Sequence, residues 1–280
     1  MISDSKDHKI AKAVQFHDIN FWIGENFLSE KLTVDDSSLE KILKERKSKF
    51  NIVGTAVTHF ISLFYYPKVG NDIISNLLLS AVDKGTLAVS GALVMEQDYF
   101  AHPDSFGEGL RKRYKQGFRL LRLFPKSHKY PYDSRCFREF YEVLDYYKFP
   151  VMISLDEIDV TGNKNIEWEK ILEIAETYKN LPIIIDGGSS KELMYNSYLM
   201  ILLRNSSNVY VDTHNLFAIN QIEDLSQIAG SDRLIFDSYF PYCSTILPVE
   251  RIRNSSLDEA EIKNIANLNI RRIFENIKIS

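Results

Sequence analysis

Short apolar runs rich in β-branched residues recur along the chain at 13–19, 51–57, 86–94, 118–124, 151–155, 182–185, 209–212 and 233–236. Most are continuously apolar rather than alternating, the signature of parallel strands buried on both faces. Between them, apolar residues return every three or four positions. At 133–147, Phe137, Phe140, Tyr141 and Leu144 fall at i, i+3, i+4 and i+7, one stripe of a helix. Comparable spacing predicts helices over 38–47, 72–83, 104–114, 167–178, 191–204, 219–229 and 257–276, the last opened by a capping box from Ser256 to Glu259.

Strand then helix, eight times over, predicts a parallel α/β architecture, and eight is the number that closes a (β/α)8 TIM barrel. An open doubly wound sheet would carry a glycine-rich phosphate loop after its first strand. The chain reads Asn20-Phe-Trp-Ile-Gly24 there instead. The 280 residues suit one barrel, which takes ~250. The expected organisation is a single domain over 1–280, with a polar N-terminal extension at 1–12 and the helix at 257–276 packed outside the barrel.

Composition narrows the function. The hydrophobic fraction of 45% supplies a large core, while a net charge of −4 argues against a nucleic-acid surface. The basic clusters at 44–49 and 111–115 fall on predicted helices and read as solvated faces. No apolar run nears the ~20 residues of a membrane span. The first twelve residues lack the apolar core of a signal peptide. Two cysteines, Cys136 and Cys243, are too few for a disulfide framework, so a reducing cytoplasm is the expected compartment. Cys243 has no basic neighbour to activate it as a nucleophile. Self-association into a homo-oligomer stays open.

In such a barrel the binding groups sit at the C-terminal strand ends. The candidates there are Asn20, Trp22, His59, Arg122, Ser154, Asp156, Asp186, His214, Asp237 and Tyr239, with Asp212 on the same rim. Carboxylates in different environments can divide acid and base roles. Asp186, Asp237 and His214 are the catalytic candidates, and the others would contact a small-molecule ligand. Arg119 and Arg122 stand three apart on one strand, so one should face the interior and the other the helices. An interior arginine needs a carboxylate partner or a ligand anion.

These strand ends also resemble those of the amidohydrolase-related, metal-dependent hydrolase barrels. That family opens with Asp-x-His-x-His-x-Gly; here the stretch is Asp18-Ile-Asn20-Phe-Trp22-Ile-Gly24. Its fifth strand, Pro-Val-x-Ile-His, is matched by Pro150-Val-Met-Ile-Ser154, and its sixth, ending in His, by Ile183-Ile-Ile-Asp186-Gly-Gly. Its eighth, Arg-x-x-Phe-Gly-Ser-Asp-x-Pro, is matched by Arg233-Leu-Ile-Phe-Asp237-Ser238-Tyr239-Phe-Pro241. The resemblance runs from Phe16 to Phe274 and implies the same fold. The positions it assigns to the metal and its chemistry hold Asn20, Trp22, Ser154, Asp186 and Tyr239, of which only Asp186 is a good zinc ligand. The expectation is a barrel that has lost the inherited metal site, takes no cofactor, and binds a small polar ligand at its mouth without hydrolysis. The alternative is a metal-independent hydrolase of a lactone, ester or amide, with Arg122 steadying the anion. A relocated site built from Asp156, Asp186, Asp237 and His214 would suit a hard cation such as magnesium.

Overall fold

The structure, a computed structural model, describes residues 13–81, 88–154, 167–187, 193 and 196–279. Eight strands, β1 (Phe16–Ile23), β2 (Ile52–His59), β3 (Ala88–Val94), β4 (Phe118–Leu123), β5 (Val151–Ser154), β6 (Ile183–Asp186), β7 (Val209–Asp212) and β8 (Leu234–Ile235), form one parallel sheet in sequence order. The sheet curls into a nearly closed barrel. At the seam, Phe21 bridges to Phe240 in parallel and Trp22 N donates to Phe240 O at 2.9 Å. Side chains tighten the same seam. Asp18 accepts from Ser238 N at 3.0 Å, and Arg46 Nη2 donates to both Asp18 (2.6 Å) and Ser238 Oγ (2.8 Å).

The helices between strands are α1 (Leu39–Phe50), α2 (Pro67–Ala81), α3 (Phe106–Lys115), α4 (Arg138–Tyr147), α5 (Trp168–Thr177), α6 (Ser197–Asn205) and α7 (Gln221–Ala229). Strand residues pointing outward, among them Leu121, Ile153, Ile185 and Val211, share one apolar cluster with the helices. Residues of opposite parity fill the barrel: Ile19, Ala56, Ala92, Leu120, Met152, Ile184 and Ile235, with Tyr210 from β7. This two-residue alternation decides which strand-end side chains meet inside.

Four expectations change. The chain after β8 forms a further helix, α8 (Ile246–Arg253), before α9 (Glu259–Lys263), a π-helical turn (Asn264–Leu268) and α10 (Asn269–Glu275). The capping box is Asp258 with Glu261, not Ser256 with Glu259: each side chain accepts from the other's backbone N–H. The last helix is not wholly outside, since Ile270 and Ile273 join the inner cluster and Phe274 packs edge-on to the His17 ring. The basic runs are not purely solvated either. Arg46 of α1 is buried against Asp18, and Arg113 of α3 is buried against Glu96 and Asp72. Among the described residues no helix is long and apolar enough to cross a membrane.

Candidate functional site

One alternation step beyond the inner apolar cluster, the strands turn polar. Thr58, Arg122, Ser154, Asp186, Asp212 and Asp237 each stand two residues past an inward apolar residue, and each is buried. On β1 the register slips between Asp18 and Phe21, where three steps of β1 match two of β2. Such a bulge re-aims a side chain, and here Asn20 reaches the same layer. Its amide is fixed by three bonds. Trp22 Nε1 and Arg122 Nη1 each donate to Asn20 Oδ1 at 2.6 Å, and Asn20 Nδ2 donates to Asp237 Oδ2 at 2.9 Å.

Arg122 lies at the centre of one half of this layer. Its Nη2 donates to Asp186 at 2.5 Å, and Ser154 Oγ donates to the same carboxylate oxygen at 2.6 Å. The guanidinium sits over the Trp22 ring at 4.5 Å and the Phe124 ring at 5.1 Å. Arg122 is therefore the interior arginine, and Arg119 turns to α3, donating to Tyr114 O and stacking on the Tyr114 ring. Asn20, Trp22, Ser154 and Asp186, four positions at which the resemblance places metal chemistry, all contact this cation. Because Asp186 already meets its charge, Arg122 does not stand ready to hold a ligand anion.

The other half is acidic. His214 Nδ1 lies 2.9 Å from Asp237 Oδ2 and 3.0 Å from Asp212 Oδ1. Burial alone would lower the His214 pKa, but the two carboxylates outweigh it and hold the imidazole well above its ordinary value. Burial pushes Asp212 well above the usual carboxylate range, with the Asp237 charge adding to it and His214 opposing. Burial also raises Asp237. Beyond the His214 ring, neither carboxylate oxygen of Asp212 meets a hydrogen-bond donor among the described residues. Ligand atoms of Asp186, Asp212, His214 and Asp237 all lie within 4.8 Å of one another. This cluster does not support the expectation of a barrel stripped of metal-holding side chains. Oxygen-rich ligands with one imidazole suit a hard or borderline divalent cation.

Above the layer stands an aromatic wall. Trp22 stacks on Phe60, Phe60 meets Tyr242 edge-on, Tyr242 stacks on Tyr239 at 4.8 Å, and Tyr239 stacks on His214 at 4.4 Å. Tyr239 holds a left-handed backbone, φ 50°, which a bulky side chain rarely adopts. Its N–H donates to Asp237 Oδ1 at 2.6 Å, and the stack on both sides of its ring keeps it there. Strained positions of this kind cluster at binding sites.

The structure thus brings Asn20, Trp22, Arg122, Ser154, Asp186, His214, Asp237 and Tyr239 together. It leaves His59 apart: the ring accepts from Ile61 N, capping a short helix, and lies 3.2 Å from Asp36. Asp156 lies outside the described residues. Asp212, named on the rim but given no role, joins those brought together, an aspartate at the same strand-end step as Asp186 and Asp237. Thr58 shares that step, two residues past Ala56, whereas Tyr242 lies beyond the strand end and carried no such signal.

No protein-family model and no curated protein matches this chain. Solved structures do. A 2,6-dihydroxybenzoate decarboxylase from Rhizobium superposes with a TM-score of 0.68 at 14% identity, covering 94% of this chain and 99% of its own. A 5-carboxyvanillate decarboxylase from Novosphingobium aromaticivorans, complexed with manganese and 4-hydroxy-3-methoxy-5-nitrobenzoic acid, gives 0.70 at 11%, covering 94% and 97%. A 4-oxalomesaconate hydratase from Rhodopseudomonas palustris gives 0.69 at 16%, covering 94% and 96%. A putative amidohydrolase from Staphylococcus aureus superposes as well, with a TM-score of 0.67 at 10% identity, covering 93% of this chain and 99% of its own, so the resemblance read from the strand ends holds at the level of the fold.

Proposed function

We propose that the C-terminal mouth of the barrel binds a small hydroxylated molecule, its flat or apolar face on the aromatic wall and its hydroxyls on the carboxylate layer. The observation that carries this reading is the juxtaposition of the two. A buried polar layer is costly to maintain, and here it lies directly beneath Trp22, Tyr242 and the backbone-strained Tyr239. Three carboxylates face one arginine already engaged by Asp186, so the layer offers acceptors, which favours donors such as hydroxyls over a bare anion. The superposable structures are named for small oxygenated acids, and the same class of molecule fits this mouth.

Trp22 and Trp168 are the two tryptophans, so a Trp168→Phe chain makes Trp22 the sole indole reporter at the mouth. The test is thermal stabilisation across sugar acids, lactones and hydroxylated aromatic acids, with Trp22 emission read alongside. The expected result is a compound that both stabilises the protein and changes Trp22 emission. A library in which no compound does either would overturn the reading.

A second reading is carried by His214. An imidazole held between two carboxylates can pass a proton to or from water or a leaving group. Hydrolysis of lactones or esters, followed by acid release in a pH-stat and lost in His214→Gln, would favour it.

A further inference from the structure

The aromatic wall does not end at the mouth. Trp22 and Phe60 form its buried floor, and over them Tyr242 and Phe64 are half-buried. From there the rings continue outward. Phe60 stacks on Phe64 at 6.0 Å, Phe64 meets Phe27 edge-on at 6.0 Å, and Phe27 meets Tyr65 at 4.5 Å. Phe27 and Tyr65 are 42% and 66% exposed, and Leu28, beside Phe27 in the chain, is 53% exposed. An exposed apolar side chain standing alone is ordinary, but a contiguous strip of them marks a surface that something covers.

Polar contacts hold this strip against the mouth. Residues 24–34 form a loop closed at its base, where Gly24 N donates to Val34 O at 2.7 Å and Val34 N donates to Gly24 O at 3.1 Å. Asn26 is buried within it. Its Oδ1 accepts from Leu28 N at 3.0 Å, and its Nδ2 donates to the Tyr242 hydroxyl at 3.0 Å. Tyr242 stacks on Tyr239 and meets Phe60 edge-on, so the loop carrying Phe27 is fastened to the wall of the mouth. Tyr65 comes from β2, directly after the short helix Phe60–Phe64. Taking the hydroxylated ligand proposed for the mouth as its basis, we infer that this strip is a subsite for an apolar tail. The ligand is then amphiphilic, its hydroxylated head on the carboxylate layer and its alkyl chain leaving past Tyr242 over Phe64 to Phe27 and Tyr65. Continuity names this occupant. The rings run in contact from solvent down to Trp22, whose Nε1 donates to Asn20 in the polar layer. Small-molecule sites commonly divide in this way, with apolar surface supplying area and a few polar groups fixing orientation.

The probe is a series of n-alkyl β-D-glucosides, methyl to octyl, titrated below their micelle concentrations into the Trp168→Phe protein. Calorimetry gives affinity, and Trp22 emission reports the head. Affinity should rise by roughly twofold per methylene on this one-sided surface, against about fourfold for a methylene buried on all sides, so butyl to octyl should gain roughly tenfold or more. Every chain length that binds should change Trp22 emission. The double variant Phe27→Ser, Tyr65→Ser should reduce the butyl-to-octyl gain to about twofold or less. It should melt close to the unsubstituted protein, because exposed side chains contribute little to stability. Ile219→Ser, at an 81% exposed position after β7, should leave the gain intact. Short glucosides that bind with no gain from the chain would overturn the tail subsite and leave the hydroxylated ligand standing. No change in Trp22 emission with any glucoside or polar compound would overturn both. A gain that survives the double variant would overturn the subsite. So would a dimer, or adsorption to phosphatidylcholine vesicles, that the double variant abolishes, since the rings would then belong to a second copy or to a lipid surface.

Discussion

Replacing Arg122 or Asp186 singly should cost far more than replacing both. The pair is enclosed, with side chains 1% and 2% exposed and a 2.5 Å contact. Removing one partner strands a charge in the barrel, a loss of about 3–5 kcal/mol. Arg122→Met leaves the Ser154 hydroxyl, a neutral donor, on Asp186, and Asp186→Leu leaves Arg122 with the Asn20 carbonyl and two aromatic faces. Neither remainder neutralises a charge. At roughly 2 °C per kcal/mol for a chain of this size, each single change should lower the melting temperature by about 6–10 °C. The double change removes both charges and fills their volume with apolar atoms, which is often neutral or stabilising. The two effects should therefore be strongly non-additive, with a coupling of about 3 kcal/mol or more. Melting and urea midpoints of the four proteins, all in EDTA, measure it. Single changes costing under about 1 kcal/mol, or a double change equal to their sum, would refute the reasoning.

Other parts of the barrel make separate predictions. Burial holds the His17 pKa down at about 4, from 6.5, with the Asp18 charge opposing. The folded state therefore resists a proton that the unfolded chain accepts. Stability should fall as pH drops from about 6.5 to 4 and level off below, by up to about 3 kcal/mol; His17→Leu should flatten that slope in urea titrations across the window. A Cβ on Gly54 would lie 2.4 Å from His17 Nδ1. Gly54→Ala should cost about 1–3 kcal/mol through overpacking, and most of the loss should vanish in a His17→Ala background. Arg46→Met should strand Asp18 at the β1–β8 seam, where Ser238 and the Asn20 N–H bind it without neutralising its charge, and lower the urea midpoint by an amount comparable to the Arg122 change.

The strand cores were legible because two-sided burial writes them as continuous apolar runs, and β7 begins and ends where the sequence placed it. The first strand was read as 13–19 but runs Phe16–Ile23. Asp18, Asn20 and Trp22 look like a polar exit from the sheet, yet they continue it, because their polar atoms pair with one another, Arg46, Ser238 and Asp237 inside the barrel. Helix α8 has no counterpart among the predicted helices, and it holds Pro248 in its first turn. Proline in the first turn removes no intrahelical bond, since those N–H groups have no partner. The rim residues were legible as a set, because alternation fixes which strand ends face inward. Their pairing was not, since it depends on the β1 bulge and on barrel curvature, neither of which is a local pattern. The sequence therefore named Arg122 and Asp186 without showing that they neutralise each other. It placed Asp212 on the rim without showing that it pairs with His214.

The most direct test of the mouth as the binding site is a crystal structure of the protein with the compound that stabilises it most. The account predicts density for that compound over the Asp212–His214–Asp237 layer, with its flat face against Trp22, Tyr239 or Tyr242 and its hydroxyls within 3.2 Å of carboxylate oxygens, about the limit of a good hydrogen bond. Density for the compound elsewhere on the barrel, with the layer and its aromatic wall unchanged, would contradict it.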